Sequence, residues 1–305
     1  MSVMDRRDFV KSLSVAVGTA ALAGVTPLGS AQEKAGGGKP VGAKTMYEVF
    51  ALKYAGPFDR KLAMVLFNNG WAEDISIYYY IWAIRNKATG ETTLVDTGTG
   101  HTWPKERNVT SYVPPETLVA RLGVKPEQVT RVVVTHMHFD HIGGMENMEF
   151  AKLYPKAKFY IQKKEFDFCV KSPLALRPPY KPLQWIPGTQ GMADLAKTSQ
   201  LVVVDGDKVI GPDMELLLLP GHTPGLQGVL VPTAKGQTIV GSDSAHLFRS
   251  FKEDIPSGLI TNMPAWLESY DKMRAKAPVE NMFPGHDTGM LMKFPKVFED
   301  ITQLA

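Results

Sequence analysis

The chain has 305 residues, of which 44% are hydrophobic and 21% charged, and its formal net charge is +3. These values are ordinary for a globular protein and exclude a disordered, collagen-like or coiled-coil chain. No Lys/Arg cluster with interleaved aromatic residues supports nucleic-acid binding. The single cysteine, Cys169, excludes an intramolecular disulfide and a cysteine-based zinc cluster.

The first 31 residues resemble an export signal. Arg6 and Arg7 precede Phe9 and an apolar stretch at 13–28, which is typical of a bacterial twin-arginine signal peptide cleaved after Ala31. A transmembrane anchor or a buried first helix is the alternative, but this stretch is short and interrupted by glycine and proline, whereas a spanning helix needs about 20 residues. We therefore predict a periplasmic protein without a stable membrane anchor, divided into a signal peptide (1–31), a flexible linker (32–44) and a folded domain (45–305).

Apolar runs and helical periodicity alternate along the rest of the chain. Strands are predicted at 46–52, 77–84, 92–95, 132–135, 158–161, 201–204, 215–219, 229–231 and 238–240. Helices are predicted at 115–122, 144–154, 164–170, 263–276 and 294–303. Because strands and helices interleave throughout, the pattern favours one α/β domain. The proline-rich segment 171–191 has no clear period and is predicted to be an ordered excursion or lid.

The most informative motif is His136-Met137-His138-Phe139-Asp140-His141, which directly follows a predicted strand. Imidazole nitrogens suit zinc and related metals, and a carboxylate adds charge neutralisation. A strand end followed by a tight turn can aim alternating side chains at one point. Solvated loop histidines are the alternative, but the pattern favours a metal site.

Three further candidate ligands lie later in the chain, two of them after predicted strands. His222 lies in a Pro/Gly-fixed turn after four leucines, Asp243 follows an apolar strand, and His286 follows Phe-Pro-Gly. Each of them alone is more often an ordinary loop residue. Together with the first motif they complete seven nitrogen and oxygen ligands. That number fits two metal ions with a shared carboxylate and a bridging water.

The HxHxDH motif, followed by His, Asp and His at wide spacings, resembles the metallo-β-lactamase superfamily over residues 46–290. The resemblance implies an αββα sandwich with the metals at one edge, between the two sheets. It also implies that Asp96, in an Asp-Thr-Gly turn, accepts a hydrogen bond from a ligand histidine. It assigns His136, His138 and His222 to the first metal, Asp140, His141 and His286 to the second, and Asp243 to both.

Within the superfamily, HMHFDHIGG, LPGHTPGLQG and FPGHD resemble the N-acyl homoserine lactonases, which are quorum-quenching enzymes. The resemblance implies a hydrolase that opens a lactone or cleaves a carboxylic ester with a metal-bridging hydroxide. It implies two divalent ions, zinc first, with manganese, iron or cobalt as alternatives.

One departure from these lactonases is His246, three residues after Asp243, where they usually place a tyrosine. We predict that Asp140 and His246 are catalytic residues. His246 would act as a hydrogen-bond donor or as a proton shuttle. The alternative for His246 is a solvated loop residue. His101 either faces the pocket or is solvated, and Cys169 is interpreted as an apolar helix residue.

The expected partner is a small lactone or ester. Candidate pocket residues, with core packing as the alternative for each, are Phe67, Trp71, Tyr180, Trp185, Phe248 and Phe251. No motif sets the oligomeric state, for which a homodimer is one candidate.

Other hydrolases of the superfamily are alternatives, acting on thioesters, phosphotriesters or β-lactams. A class B β-lactamase is disfavoured because its subclasses mostly use cysteine or lack the bridging aspartate. Glyoxalase II is disfavoured because it appends a helical region for which residues 287–305 are too short. Nuclease relatives are disfavoured because they add basic RNA-binding modules, and this sequence has no such Lys/Arg cluster. A non-catalytic metal-binding module is disfavoured because no ligand is missing.

Overall fold

The computed structural model describes residues 46–305, so the predicted signal peptide and linker lie outside the described residues. The strands are β1 (Tyr47–Lys61), β2 (Asp74–Asn86), β3 (Thr92–Val95), β4 (Val129–Val133), β5 (Lys158–Gln162), β6 (Leu201–Val204), β7 (Lys208–Gly211), β8 (Met214–Leu218), β9 (Gln227–Thr233), β10 (Gly236–Ser242), β11 (Met282–Pro284), β12 (Lys296–Phe298) and β13 (Ile301–Gln303). The α-helices are α1 (Leu62–Val65), α2 (Thr102–Glu106), α3 (Pro115–Arg121), α4 (Phe139–Ile142), α5 (Glu149–Leu153), α6 (Lys163–Phe166), α7 (Ile186–Leu195), α8 (Phe248–Glu253), α9 (Met263–Lys276) and α10 (Gly289–Met292). Short 3₁₀ or π turns lie at Pro126–Gln128, Gly143–Met148, Asp167–Lys171, Pro173–Leu176, Lys181–Leu183 and Val279–Asn281.

The strands form two mixed layers that meet at β1. Hydrogen bonds connect them in the order β11-β10-β9-β1-β2-β3-β4-β5-β6, with β8 and then β7 branching from β9, and β13 and then β12 branching from β1. β1 and β2 pair along nearly their whole lengths, whereas β1 meets β9 at one register pair, Tyr47 with Thr233. The first layer is therefore β1–β6 with β12 and β13, and the second layer is β7–β11.

Buried side chains form three apolar clusters, one between the layers and one on the outer face of each. Between the layers, Val49 and Trp82 of the first share a cluster with Leu216 and Val229 of the second. Strands covered on both faces read as continuous apolar runs, and β9 is buried along its whole length. The outer clusters join each layer to helices, with Leu52, Leu94 and Leu118 on one side and Leu217, Ile239 and Trp266 on the other. This order of helix, sheet, sheet and helix confirms the predicted αββα sandwich.

Helix α9 shows how the sequence specifies an outer layer. The side chain of Asn262 caps the helix by accepting from the Ala265 N–H at 3.1 Å, and a proline lies in the first turn. Trp266, Tyr270 and Met273, spaced by four and three residues, are buried in the outer cluster of the second layer. The predicted helix 263–276 is confirmed.

Two other predicted helices were wrong. Segment 294–303 forms β12 and β13, because Ile301 pairs with Leu52 of β1 and this sheet pairing outweighs the helical spacing of the apolar residues. The predicted helix 144–154 is interrupted at Asn147 and Met148, whose φ values of 51° and 56° are left-handed. A right-handed helix cannot continue through such residues. The interruption separates the 3₁₀ turn Gly143–Met148 from α5.

The remaining differences concern short or irregular segments. The predicted helix 164–170 is α6 followed by a π turn. The proline-rich segment 171–191 is ordered, and it contains two 3₁₀ turns and the start of α7, whose first turn holds a proline. The strands β7 and β11 are too short to show a period in the sequence. Within residues 46–305, no helix combines the length and apolar character needed to cross a membrane.

Candidate metal centre

Turns from both layers meet in one buried cluster of ligand-type side chains. The first four of these side chains follow β4 and extend into α4, and the others follow β8, β10 and β11. The structure brings together every side chain predicted from the sequence as a metal ligand: His136, His138, Asp140, His141, His222, Asp243 and His286.

One group of this cluster consists of His136, His138 and His222. The Nδ1 atom of His138 lies 3.1 Å from His136 Nε2 and 3.0 Å from His222 Nε2. Burial lowers the pKa of all three rings, that of His222 to about 3, so the rings are neutral at pH 7. His222 Nδ1 donates to the carbonyl of Leu259 at 2.9 Å, which leaves its Nε2 lone pair facing the cluster. Three neutral imidazole nitrogens that converge in this way fit a borderline metal ion.

The other group consists of Asp140, His141 and His286. Asp140 Oδ2 lies 3.7 Å from His141 Nε2 and 3.6 Å from His286 Nε2. His286 Nδ1 donates to the carbonyl of Tyr78 at 3.0 Å, so Nε2 is the ring nitrogen that faces the cluster. Burial acts to lower the pKa of His141, but the surrounding carboxylates, Asp140 first, outweigh it and raise that pKa well above its ordinary value. This group therefore combines nitrogen and carboxylate donors.

Asp243 lies between the two groups. Its Oδ2 is 3.1 Å from His286 Nε2 and 3.4 Å from His222 Nε2, and its Oδ1 is 3.5 Å from His141 Nε2. A carboxylate that faces two ligand groups in this way fits a bridge between two ions. Gly285 makes the close approach possible, because a Cβ atom at this position would collide with Asp243 Oδ1.

Asp96 fixes the proton positions of two histidines. It accepts from His141 Nδ1 at 2.7 Å, from the Thr135 N–H at 2.7 Å and from the Thr135 hydroxyl at 2.8 Å. Because the Thr135 hydroxyl gives its one proton to Asp96, it accepts from His136 Nδ1, 3.1 Å away. Both histidines therefore use Nδ1 as a donor and turn Nε2 toward the cluster, which is the arrangement typical of metal-binding histidines.

Several buried atoms of the cluster lack a hydrogen-bond partner among the described residues. They are His141 Nε2, Asp243 Oδ1 and both ring nitrogens of His246. Leaving such atoms unpaired costs free energy, which a bound cation would offset at the ligand atoms. Nitrogen and oxygen donors without a thiolate fit zinc, and they also fit manganese, iron or cobalt. The residues present therefore fit metal binding.

His246 is buried beside this cluster, and the solvated-loop alternative was wrong. Its Nε2 lies 3.0 Å from Asp243 Oδ2 but outside hydrogen-bond geometry, and its ring centre is 5.0 Å from that of His286. Burial lowers the pKa of His246. His101 lies elsewhere, half-exposed, with Nε2 3.0 Å from a carboxylate oxygen of Glu116.

The sequence did not point to Glu165, a buried residue on α6 that connects two ligand turns. Its Oε1 accepts from the Met137 N–H at 2.9 Å, and its Oε2 accepts from the Gly225 N–H at 3.0 Å. Met137 lies between His136 and His138, and Gly225 belongs to the turn that carries His222. Burial raises the pKa of Glu165. No motif marks this residue, because its partners are 28 and 60 residues away along the chain.

Two cavities adjoin the ligand cluster. One, of about 200 Å³, is called the cluster cavity here, and its lining includes Arg60, Ile77, Tyr79, Phe139, His246 and His286. Burial raises the pKa of Tyr79 far above its ordinary value, and Asp140 adds to the effect, so the phenol keeps its proton. The other, of about 190 Å³, is called the side cavity, and its lining includes His138, Glu165, Cys169, Tyr180 and His222.

The predicted pocket residues are only partly found at these cavities. Tyr180 lines the side cavity. Cys169 is buried in the main apolar core and also borders the side cavity. The pocket interpretation was wrong for the other aromatic residues, because sequence proximity to a ligand turn does not set the direction of a side chain. They lie at the exposed surface (Phe67, Trp71), against the main core (Trp185) or along a separate surface groove of about 710 Å³ (Phe248, Phe251).

Residues 77–286, which include the whole ligand cluster, match the family described as the metallo-beta-lactamase superfamily. The match covers more than half of the chain and agrees with the observed sandwich. This protein therefore belongs to the metallo-beta-lactamase superfamily.

Part of the chain is similar in sequence to curated proteins. The chain is 27% identical over 174 residues to an N-acyl homoserine lactonase of Bacillus cereus, covering 56% of this chain and 61% of that protein. It is 26% identical over 194 residues to the N-acyl homoserine lactonase AttM of Rhizobium radiobacter, covering 59% and 66%. The chain thus spans about three fifths of the length of the Bacillus cereus relative.

Solved structures share the fold at lower identity. A quorum-quenching N-acyl homoserine lactone lactonase has a TM-score of 0.65 at 17% identity, covering 85% of this chain and 99% of that chain. AidC, a dizinc quorum-quenching lactonase, has a TM-score of 0.62 at 21% identity, covering 81% and 90%.

Proposed function

We propose that this protein is a binuclear metal-dependent hydrolase that opens a lactone or cleaves a carboxylic ester. The observation that carries the proposal is the position of Asp243 between two groups of three ligand-type side chains. Similarity to proteins named N-acyl homoserine lactonases supports the lactone class. The dizinc neighbour supports zinc as the metal.

The metals would be held by the two groups and by Asp243, which faces both. When bound, two divalent ions supply a water activated at neutral pH and polarise the substrate carbonyl. The chain itself holds the ligand nitrogens in position before substrate arrives. It does so through the carbonyls of Leu259 and Tyr78 and the carboxylate of Asp96.

His246 is the proposed proton carrier. It lines the cluster cavity beside Asp243, and its ring nitrogens have no hydrogen-bond partner among residues 46–305. An imidazole in this position can accept a proton from the attacking water and give it to the leaving oxygen.

Asp140 is the second proposed catalytic residue. Its carboxylate lines the cluster cavity, where it can accept a hydrogen bond from the attacking water and orient it. The Tyr54 hydroxyl donates to the backbone carbonyl of Asp140 at 2.7 Å and so fixes this part of α4.

A substrate panel tests the proposed activity. Zinc-loaded protein is assayed with lactones, aryl esters, thioesters, phosphotriesters and β-lactams, before and after treatment with a chelator. We expect the highest kcat/KM on a lactone or an aryl ester, with loss on chelation and recovery when zinc is added. Preference for another class would overturn the substrate assignment, and turnover that survives complete metal removal would overturn metal dependence.

We also propose export to the periplasm by the twin-arginine route, on the sequence of residues 1–31 alone. Replacing Arg6 and Arg7 with lysine is expected to retain the full-length protein in the cytoplasm, measured by cell fractionation. Export of this variant at the wild-type level would contradict the proposal.

A further inference from the structure

A cationic side chain, Arg60, lines the cluster cavity. It lies near the end of β1, where Phe58 and Arg60 are half-buried and the alternate residues Asp59 and Lys61 are exposed. Successive residues of a strand point to opposite faces, so Arg60 shares the inward face with Phe58.

The guanidinium of Arg60 has no carboxylate oxygen within 4.0 Å among residues 46–305. Its hydrogen bonds go to the carbonyl of Asp59 at 2.8 Å and to the hydroxyl of Tyr79 at 3.2 Å. On the exposed face of the same hairpin, by contrast, Lys61 is paired with Asp74 at 2.8 Å. The cavity wall therefore carries a cation whose charge is not neutralised by a contact within the described chain.

Acidic residues in the cavity do not remove this charge. Asp140 and Asp243 line the cluster cavity, but both are proposed metal ligands, so their negative charges are committed to the metals. With the metals bound, Arg60 adds a positive charge to a cavity that already favours anions.

Tyr79 supplies a second donor beside Arg60. Its side chain is buried, and its ring centre lies 5.4 Å from that of His286. Because the Tyr79 oxygen accepts from Arg60 Nη2, its own proton is left for another acceptor, and none occurs among the described residues. A hydroxyl that accepts from a cation is also a stronger donor.

We propose that Arg60 and Tyr79 form a subsite for a carboxylate on the acyl part of the substrate. The inference rests on the proposed hydrolase function and narrows its substrate class to short lactones or esters whose acyl group is anionic. A guanidinium and a hydroxyl bind a carboxylate through charge-assisted hydrogen bonds, which are stronger than bonds between neutral groups. The cavity volume of about 200 Å³ suits a short acyl group.

Two esters with acyl chains of equal length test this subsite. In p-nitrophenyl butyrate the acyl chain ends in a methyl group, and in mono-p-nitrophenyl succinate it ends in a carboxylate. We expect the zinc-loaded wild type to have the higher kcat/KM on the succinate ester. In Arg60→Gln, kcat/KM on the succinate ester should fall ~10-fold or more, mainly through a higher KM. Its kcat/KM on the butyrate ester should fall less than ~2-fold.

Further variants separate the subsite from general damage. Arg60→Lys keeps the positive charge but lacks the paired N–H donors of the guanidinium. Its kcat/KM on the succinate ester should therefore lie between those of the wild type and Arg60→Gln. Tyr79→Phe removes the hydroxyl donor, and its kcat/KM on the succinate ester should fall ~3-fold. Arg177→Gln removes the same charge from an exposed position, so kcat/KM should stay unchanged on both esters.

Calorimetric binding of succinate to the zinc-loaded protein gives a readout that does not require turnover. We expect the Kd to rise ~10-fold in Arg60→Gln. Equal losses on both esters, a wild-type preference for butyrate, or unchanged succinate binding in Arg60→Gln would overturn the subsite. If neither ester is hydrolysed but succinate binding still depends on Arg60, the proposed ester hydrolysis fails and the carboxylate subsite is supported.

Discussion

The two ends of the ligand cluster are held in different ways. At the three-histidine end, His222 donates to the backbone carbonyl of Leu259, and burial lowers the pKa of the rings. At the Asp140 end, His141 donates to the carboxylate of Asp96, and the surrounding carboxylates outweigh burial and raise its pKa. A carboxylate behind a histidine increases the basicity of the nitrogen that faces the metal. The two ends should therefore respond separately to substitution, except at Asp243, which they share.

Asp243→Asn should have the largest effect, because it removes a negative charge that faces both groups. We expect kcat/KM to fall ~1,000-fold, which corresponds to about 4 kcal/mol, while the protein stays folded by circular dichroism. Asp271→Asn, which makes the same change at an exposed position on α9, serves as the control and should retain full activity. Near-wild-type hydrolysis by Asp243→Asn would exclude the shared-carboxylate mechanism.

His138→Ala removes a proposed ligand from the three-histidine end alone. We expect a ~100-fold loss of kcat/KM and retention of about one zinc ion per chain at the Asp140 end, measured by metal analysis after gel filtration. Retention of two ions would contradict the assignment of His138 as a ligand.

Asp96→Asn should act mainly at the Asp140 end. The amide would present a donor where His141 Nδ1 now donates to a carboxylate oxygen, and the histidine would lose its fixed proton position. We expect one of two zinc ions to bind ~10- to 100-fold more weakly, measured by competition with a chromophoric chelator. Equal weakening of both ions would show that Asp96 does not distinguish the two ends.

Glu165→Gln should have the smallest effect, confined to the three-histidine end. The amide can accept from only one of the two backbone N–H groups of Met137 and Gly225, so one is left unpaired at a cost of about 1–3 kcal/mol in the free energy of unfolding. We expect ~10-fold weaker binding of one zinc ion. Glu268→Gln, at an exposed position of α9, is the matched control. A stability loss with both zinc affinities unchanged would make Glu165 purely structural.

The side chains that the structure brings together in the cluster could be picked out from the sequence because most of them belong to local motifs. The HxHxDH run and the turns before His222 and His286 combine metal-binding residue types with glycine or proline, and these patterns need no knowledge of the fold. The strands 92–95 and 201–204 were also predicted at their observed bounds, β3 and β6. Both strands are short runs of β-branched and apolar residues, a composition that favours strands.

Glu165 and Arg60, by contrast, are positioned by contacts between distant segments. Glu165 contacts two ligand turns only because the start of α6 packs between them. Arg60 meets Tyr79 through the pairing of β1 with β2, whose register shifts twice between Lys53 and Phe58. Such irregularities change which residues face the cavity, and the sequence pattern does not reveal them.

Zinc titration of the metal-free protein tests whether two ions share Asp243. The titration is followed calorimetrically and checked by metal analysis, with wild type and Asp243→Asn measured side by side. We expect two zinc ions per wild-type chain, both bound more weakly in Asp243→Asn. One ion per wild-type chain, or two ions that bind Asp243→Asn with unchanged affinity, would contradict a binuclear centre built around this carboxylate.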